Sequence, residues 1–188
     1  MNIGFAMCGS LCTFEAVLRA MEEVSHNHTV IPILSEVSAT TDSRFGSAQS
    51  HLQRITNICG TAPLTTIPQV EPIGPKKLLD ALIIAPCTGN TLAKLSHGIA
   101  DGPVTMAAKS HLRNGKPVLV AISTNDALAA AAENIGRLLA RKNYYFVPFR
   151  QDDPKEKPTS IVADFHLILP ALEAALDGKQ LQPILIGS

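Results

Sequence analysis

Polar side chains and a glycine follow directly after the apolar run "DALIIA" at residues 80–85. The next six residues, "PCTGNT", bring hydroxyl and amide groups together beside a glycine. Capping a helix needs only one such side chain, so a group of three indicates a ligand-binding loop. The residues of this loop that we expect to contact or shape a ligand site are Pro86, Thr88, Gly89, Asn90 and Thr91.

Other apolar runs end in residues of the same kinds. Gly9 lets the backbone approach a ligand, and Ser10 offers a hydroxyl at a helix start, where free N–H groups and the helix dipole favour an anion. This pair predicts a phosphate seat, although the GxGxxG pattern of dinucleotide-binding turns is absent. The alternative is a plain tight turn with a helix cap for Gly9 and Ser10, a hydrophilic surface loop around Ser35, and a helix N-cap within 123–126. The polar candidates at the remaining exits are Ser35, Ser123, Thr124 and Asn125.

Cationic side chains near the same exits could meet an acidic ligand, because Arg and Lys are the usual partners of carboxylates and phosphates. The candidates for substrate binding are Arg44, Lys94, Arg150 and Lys157. The six histidines are scattered and no Ser/His/Asp arrangement can be identified, so catalytic residues stay unassigned. The four cysteines form no CxxC pair and no zinc spacing, which predicts reduced thiols and no metal site.

These residues need a scaffold that brings strand exits to one edge. Five apolar runs, at 2–7, 29–34, 80–85, 116–122 and 144–149, alternate with helical patterns. The runs are continuously apolar, as strands buried on both faces must be. We therefore predict an α/β fold with a doubly wound parallel sheet, a three-layer α/β/α sandwich that is Rossmann-like or flavodoxin-like. Ligands bind such sheets beyond the carboxyl ends of the strands.

The segments between the strands are predicted from periodicity and from turn residues. The helices are expected at 12–25, 46–59, 90–98, 103–113, 126–141 and 164–178. The remaining segments are expected to be a polar loop at 35–43, a rigid proline-rich connection at 60–75 and a charged loop at 150–160.

Composition limits the class of protein. The 188 residues predict a single domain spanning 1–188, and 46% hydrophobic residues are enough to bury a sizeable core. Lys plus Arg and Asp plus Glu number 16 each, a balance that argues against nucleic-acid or membrane-surface partners. The first residues lack a charged segment followed by a long apolar one, and no apolar run reaches the length of a membrane span. We expect a cytoplasmic protein.

The segment "PCTGNTLAKLSHGIAD" at 86–101 resembles the flavoprotein superfamily of homo-oligomeric flavin-containing cysteine decarboxylases. The hallmark of that superfamily is Pro-Ala-Ser-Ala-Asn-Thr, followed by Ala-Lys and Gly-Ile-Ala-Asp. Gly9 and Ser10 match its first phosphate loop, and Ser35 matches a serine after its second strand. The resemblance implies a flavin mononucleotide (FMN) site at these positions and at 123–125, with the phosphate towards Gly9 and Ser10. It also implies trimers or larger homo-oligomers with flavin near a subunit interface.

Two features depart from the decarboxylase pattern. The decarboxylases close over the substrate carboxylate with Pro-x-Met-Asn-x-x-Met-Trp, whereas this chain has "AISTNDALAA" at 121–130, in which only Asn125 corresponds, and no Trp. His51 is the nearest candidate for the histidine of that family.

A closer resemblance, carried by 44–46, 71–128, 146–164 and 181–186, is to the B-subunit family of bacterial dipicolinate synthases. It implies a separate A subunit with a nicotinamide dinucleotide, NAD(P), and oxidation of dihydrodipicolinate to dipicolinate in the mother cell of a sporulating bacterium. Two alternatives stay open: a flavin-dependent decarboxylase, and a non-catalytic ligand-binding subunit. Whether this branch retains FMN is open as well.

Overall fold

A computed structural model describes residues 1–187. Five parallel strands form its centre, in the order β2-β1-β3-β4-β5. All seven residues of β3 are buried, as are most of those in the other four strands, because helices cover both faces of the sheet. The strands are β1 (Asn2–Met7), β2 (Thr29–Leu34), β3 (Ala81–Cys87), β4 (Val118–Thr124) and β5 (Tyr144–Phe146). The doubly wound, flavodoxin-like prediction is confirmed.

Helices pack on the sheet with their apolar stripes inward. In α1, for example, Val17, Leu18, Met21 and Val24 are buried at helical spacing. The α1 and α8 helices contact each other and the sheet, while α5 and α6 contact each other and β4. The helices are α1 (Phe14–Asn27), α2 (Glu36–Thr40), α3 (Ala48–Cys59), α4 (Ile67–Val70), α5 (Gly89–His97), α6 (Pro103–Leu112), α7 (Ala132–Leu139) and α8 (Ile168–Leu176). No helix among residues 1–187 is long and apolar enough to cross a membrane.

The prediction of a charged loop at 150–160 is wrong. This segment belongs to an antiparallel hairpin of β6 (Phe149–Asp153) and β7 (Lys157–Ala163), and the fifth predicted strand ends at Phe146. The Asp153 carboxylate closes the turn by accepting from the backbone N–H groups of Lys155 and Glu156, both at 3.1 Å. β7 then pairs antiparallel with the last two residues of β4, above the part of β4 that pairs with β5.

Two other segments also differ from the prediction. Ser35, placed in a loop, caps the short helix α2 by accepting from the N–H of Ser38 at 3.2 Å. The helix predicted at 126–141 covers only α7, and 126–131 forms turns instead. The N–H of Leu128 donates to the carbonyl of Thr159 in β7 at 3.0 Å, which draws this segment away from a helical path.

Candidate functional site

The loop between β3 and α5 is fixed by its own hydroxyl groups. Thr88 is the N-cap of α5, and its hydroxyl accepts from the N–H of Thr91 at 3.3 Å. The Thr91 hydroxyl lies 3.1 Å from that of Thr88 and donates to the sulfur of Cys8 at 3.3 Å. The loop is therefore tied to the exit of β1. Pro86 is the second-last residue of β3, and its carbonyl accepts from the N–H of Cys8 at 3.3 Å.

Gly89 allows the β4 exit to approach this loop. A Cβ atom at Gly89 would lie 2.7 Å from Oδ1 of Asp126 and 2.9 Å from Oγ1 of Thr124. Thr124 in turn donates a hydrogen bond to the Asp126 carboxylate. A side chain at position 89 would thus displace the contact between the exits of β3 and β4.

The exits of β1 and β4 also meet directly. The hydroxyl of Ser10 lies 2.9 Å from that of Ser123, across the end of β3. Asn125 is held from the other side, because its carbonyl accepts from the Thr159 hydroxyl at 2.6 Å and its side-chain oxygen from Ser160 at 3.3 Å. The β6–β7 hairpin therefore forms one wall of the site.

Two cavities open at this edge of the sheet. The hairpin-side cavity, of about 560 Å³, is bordered by β7, and the α2-side cavity, of about 840 Å³, is bordered by α2 and the start of α6. Thr88 lines both. The predicted residues in the hairpin-side cavity are Ser10, Arg44, Thr88, Ser123, Thr124, Asn125 and Lys157. Those in the α2-side cavity are Gly9, Ser35, Thr88, Asn90, Thr91 and Lys94.

Arg150 is the one predicted substrate-binding residue that the structure does not bring to either cavity. It lies on β6 with its guanidinium 3.6 Å from Asp164. Pro86 and Gly89 line neither cavity and support the loop from behind. His51 also lines neither, because it is buried edge-to-face against Phe14 with ring centroids 5.1 Å apart.

The cationic side chains differ in how far they are already paired. Lys157 forms an ion pair with Asp152 at 2.8 Å, which raises the pKa of the lysine, and Lys94 pairs with Asp101 at 2.9 Å, which lowers the pKa of that carboxyl. Arg44 stacks over the Phe45 ring at 4.8 Å and forms no ion pair within residues 1–187. Of the two cations that line the hairpin-side cavity, Arg44 and Lys157, only Lys157 is therefore paired with an acidic residue within residues 1–187.

Some residues that line the site were not predicted from the sequence, because the hairpin or another tertiary contact brings them there. Asp152 and Ser160 line the hairpin-side cavity, and both fall in the segment predicted as a charged loop. Cys12 is exposed there, 3.8 Å from the Ser10 hydroxyl. The other thiols near the loop, those of Cys8 and Cys87, are buried and unreactive. Burial raises the pKa of Cys8 to about 11 and raises that of Cys87 as well.

Comparison with known proteins identifies the family. The sequence profile of the Flavoprotein family matches residues 1–164. The chain belongs to this family. The dipicolinate synthase B subunit of Bacillus subtilis (strain 168) is 44% identical over 186 residues, which cover 98% of this chain and 93% of that protein. The resemblance predicted from the segments around 71–128 is confirmed.

Solved structures agree with this assignment. The crystal structure of the dipicolinate synthase B subunit from Bacillus halodurans C has a TM-score of 0.92 and 44% identity, covering 100% of this chain and 96% of that one. The FMN-dependent cysteine decarboxylase SpaF has a TM-score of 0.70 and 23% identity, covering 94% and 95%. That second likeness shows the shared fold.

The donors of this Flavoprotein-family chain fit a flavin nucleotide. Hydroxyl groups line both cavities, Gly9 lines the α2-side cavity just after β1, and Arg44, which forms no ion pair within residues 1–187, lines the hairpin-side cavity. The cavities lie at the carboxyl edge of the sheet, where this fold class binds nucleotides. Among residues 1–187, no three His, Cys, Asp or Glu side chains are grouped to hold a metal ion.

Proposed function

We propose that this chain is the B subunit of a two-subunit dipicolinate synthase that oxidises dihydrodipicolinate to dipicolinate during sporulation. The observation that carries the proposal is the 44% identity, over nearly the whole of both chains, to two proteins with that name. The partner is a separate A subunit that carries the NAD(P) site. We place both subunits in the cytoplasm of the mother cell.

The proposed reaction balances without loss of carbon. Dihydrodipicolinate gives up a hydride to NAD(P)⁺ and a proton to a base, and its ring becomes aromatic. Both carboxylates stay on the ring, so the site needs cations for a dianion rather than the closing segment of a decarboxylase. Arg44 and Lys157 support this proposal, since they line the hairpin-side cavity together with Ser123 and Asn125.

We further infer that the chain holds FMN across the two cavities, with the phosphate towards Gly9 and Ser10. Bound FMN would supply a group able to accept and release a hydride. The hydroxyls of Ser10, Thr88 and Ser123 would form hydrogen bonds to its polar atoms. Asn90 and Thr91 would border it in the α2-side cavity. Homo-oligomers of trimeric or larger size are part of the same proposal; one structural relative of this fold is dodecameric.

A non-catalytic ligand-binding subunit is the second candidate. The observation that favours it is that no histidine of residues 1–187 lines either cavity, and that burial raises the pKa of Cys8, the thiol of the α2-side cavity, to about 11. In that case the A subunit would perform the whole oxidation and this chain would present the substrate. A flavin-dependent decarboxylase is less well supported, because β7 brings Ser160, Ile161 and Val162 to the cavity, without a Met or Trp.

Reconstitution tests the proposal. The chain and the A subunit are assayed alone and together, following dipicolinate and NAD(P)H, with and without added FMN. Activity that requires both chains supports the oxidoreductase, and full activity of A alone overturns it. Release of carbon dioxide from a cysteine-type substrate by this chain alone would favour the decarboxylase.

Variants separate the catalytic from the ligand-binding candidate. Ser10→Ala and Asn90→Ala are expected to weaken FMN binding about tenfold each, since each loses a hydrogen-bonding group. The coupled turnover should fall in parallel. Ser25→Ala is the matched control, because its hydroxyl only donates to the Glu22 carbonyl on α1. Turnover unchanged by the loop variants would indicate the non-catalytic subunit.

A further inference from the structure

A third cavity lies away from the strand exits, and every charged side chain that lines it is a cation. It has a volume of about 540 Å³ and sits between the end of α5, the outer side of α6 and the start of β5. Its cations are Lys109, Arg113, Arg141 and Lys142, and no acidic residue of the described chain lines it. These are four of the 16 Lys and Arg residues in a chain with no net charge.

The positive charge of this basic cavity is not neutralised within the described chain. None of the four side chains takes part in an ion pair among residues 1–187. Lys109, Arg113 and Lys142 are exposed at the rim. A concave surface with one sign of charge raises the local concentration of ligands of the opposite sign.

Arg141 is held in place by the end of α5. Its Nη1 donates to the Leu95 carbonyl at 3.0 Å and its Nη2 to the Ser96 carbonyl at 2.6 Å. These carbonyls belong to the last turn of the helix, where free acceptors need partners. The guanidinium is therefore preorganised at the cavity, whereas the three rim cations are free to adjust.

The remaining wall of the basic cavity is apolar and aromatic. Leu95 and Tyr144 are almost fully buried, Leu112 is half-buried and Ile99 is 48% exposed. The Tyr144 hydroxyl forms no hydrogen bond with any residue of 1–187, and burial raises its pKa to about 12, so it stays a donor. An apolar pocket with a few converging polar groups is the usual form of a small-molecule site.

We propose that the basic cavity binds small aromatic carboxylates, with the ring against Tyr144 and Leu112 and the carboxylates at the cationic rim. The apolar wall selects for a ring, and the cationic rim selects for an anion. Pyridine-2,6-dicarboxylate belongs to this class. If the proposed function holds, the product would bind here, away from where it forms; that link rests on the proposed function, but the binding site does not.

Calorimetric titration of the purified chain tests the site. The probes are pyridine-2,6-dicarboxylate, benzene-1,3-dicarboxylate, inorganic phosphate and poly-glutamate. The double charge reversal Lys109→Glu/Arg113→Glu is expected to weaken the binding of both aromatic probes at least about tenfold. Two cations that attract the carboxylates of the probe are replaced by two anions that repel them. Lys76→Glu/Lys179→Glu, which changes the same net charge at exposed positions elsewhere, should leave the affinity within about twofold.

A second variant separates the apolar wall from the charge. Ile99→Ser shrinks the apolar surface, so it should weaken the aromatic probes several-fold and leave phosphate unaffected. The proposal is overturned if phosphate binds as tightly as the aromatic probes, or if binding survives the charge reversal, which would place the ligand at the strand exits. It is also overturned if only an acidic peptide such as poly-glutamate binds, which would make the cavity a docking surface. If the charge-reversal variant loses binding, and the unmodified chain reconstituted with the A subunit is inactive, the proposed function is refuted and this binding site stands.

Discussion

At the scale of single residues, the site depends on a position where a side chain is absent. Gly89 begins α5, and the Asp126 carboxylate occupies the space that a Cβ would need. Asp126 also accepts from Thr124, one of the residues expected to meet a ligand. The glycine therefore couples the β3 and β4 exits, and Asp126 positions Thr124 without lining either cavity.

Gly89→Ala should lower the free energy of unfolding by about 1–3 kcal/mol, because the added methyl group overpacks this contact. Urea unfolding measures the change. Gly136→Ala, in the middle of α7 where a Cβ meets nothing within 4 Å, is the matched control and should stabilise by up to about 1 kcal/mol through helix propensity. Adding Asp126→Ala should recover part of the loss at position 89. If Gly89→Ala stabilises the chain as Gly136→Ala does, the contact has no structural importance.

Residue types and strand exits predicted which side chains gather at this edge of the sheet better than they predicted the contacts among them. Ser10 and Ser123 are 113 positions apart, yet Ser10 follows β1 and Ser123 is the second-last residue of β4 in the same sheet, so the topology brings their hydroxyls together. The sequence around Asp126 indicates no more than a helix cap, because nothing local shows that its carboxylate packs on Gly89. Arg150 lies at the end of a predicted strand, but the hairpin carries it to Asp164 instead of to a cavity.

At the scale of elements, the hairpin is what sequence patterns missed. Residues 150–158 are polar, rich in charge and interrupted by two prolines, which is typical of a solvated loop. The pairing of β7 with β4 is antiparallel and covers only Ser123↔Val162 and Thr124↔Ile161. So short a pairing depends on tertiary contacts, which local propensity does not contain. The five buried parallel strands, by contrast, lie in continuous apolar runs and were predictable, although the fifth ends at Phe146 and not at Phe149.

Two hydroxyls fasten this hairpin to the β4 exit. Replacing them together, Thr159→Val/Ser160→Ala, should weaken the attachment by about 1–2 kcal/mol, since two hydrogen bonds to Asn125 are lost. Amide hydrogen exchange within 149–163 should then speed up by roughly 5–30-fold, while exchange in β1 and β3 stays unchanged. Thr56→Val, whose hydroxyl only donates to the Leu52 carbonyl within α3, is the control. Equal acceleration in β1 would mean that the hairpin does not open on its own.

At the scale of the whole molecule, two buried histidines make stability depend on pH. His111 is wholly buried, with Nε2 donating to the Pro117 carbonyl at 3.0 Å and Nδ1 without a partner within residues 1–187. Burial lowers its pKa most, and the positive charge of Lys116 lowers it as well, while the hydrogen bond to Pro117 and the negative charge of Asp80 act in the opposite direction. The pKa of His51 is also lowered, chiefly by burial and then by Arg54. Both rings therefore take up a proton at a lower pH in the folded chain than in the unfolded chain.

The sign of the effect follows from which state takes up the proton first. The unfolded chain protonates these histidines near their ordinary pKa of about 6.5, above the pKa of the folded state. The stabilisation is thus complete above that pH and is lost as pH falls through 6.5 towards the lower folded pKa, with a slope of at most about 1.4 kcal/mol per pH unit for each ring. Urea midpoints between pH 7.5 and pH 5 should decline accordingly. His111→Gln keeps a donor for Pro117 and should flatten the decline, whereas the exposed His166→Gln should not. If the slope is unchanged in His111→Gln, this ring takes up its proton in the folded chain at the same pH as in the unfolded chain. Burial of His111 between α6 and β4 then does not cause the loss of stability at low pH.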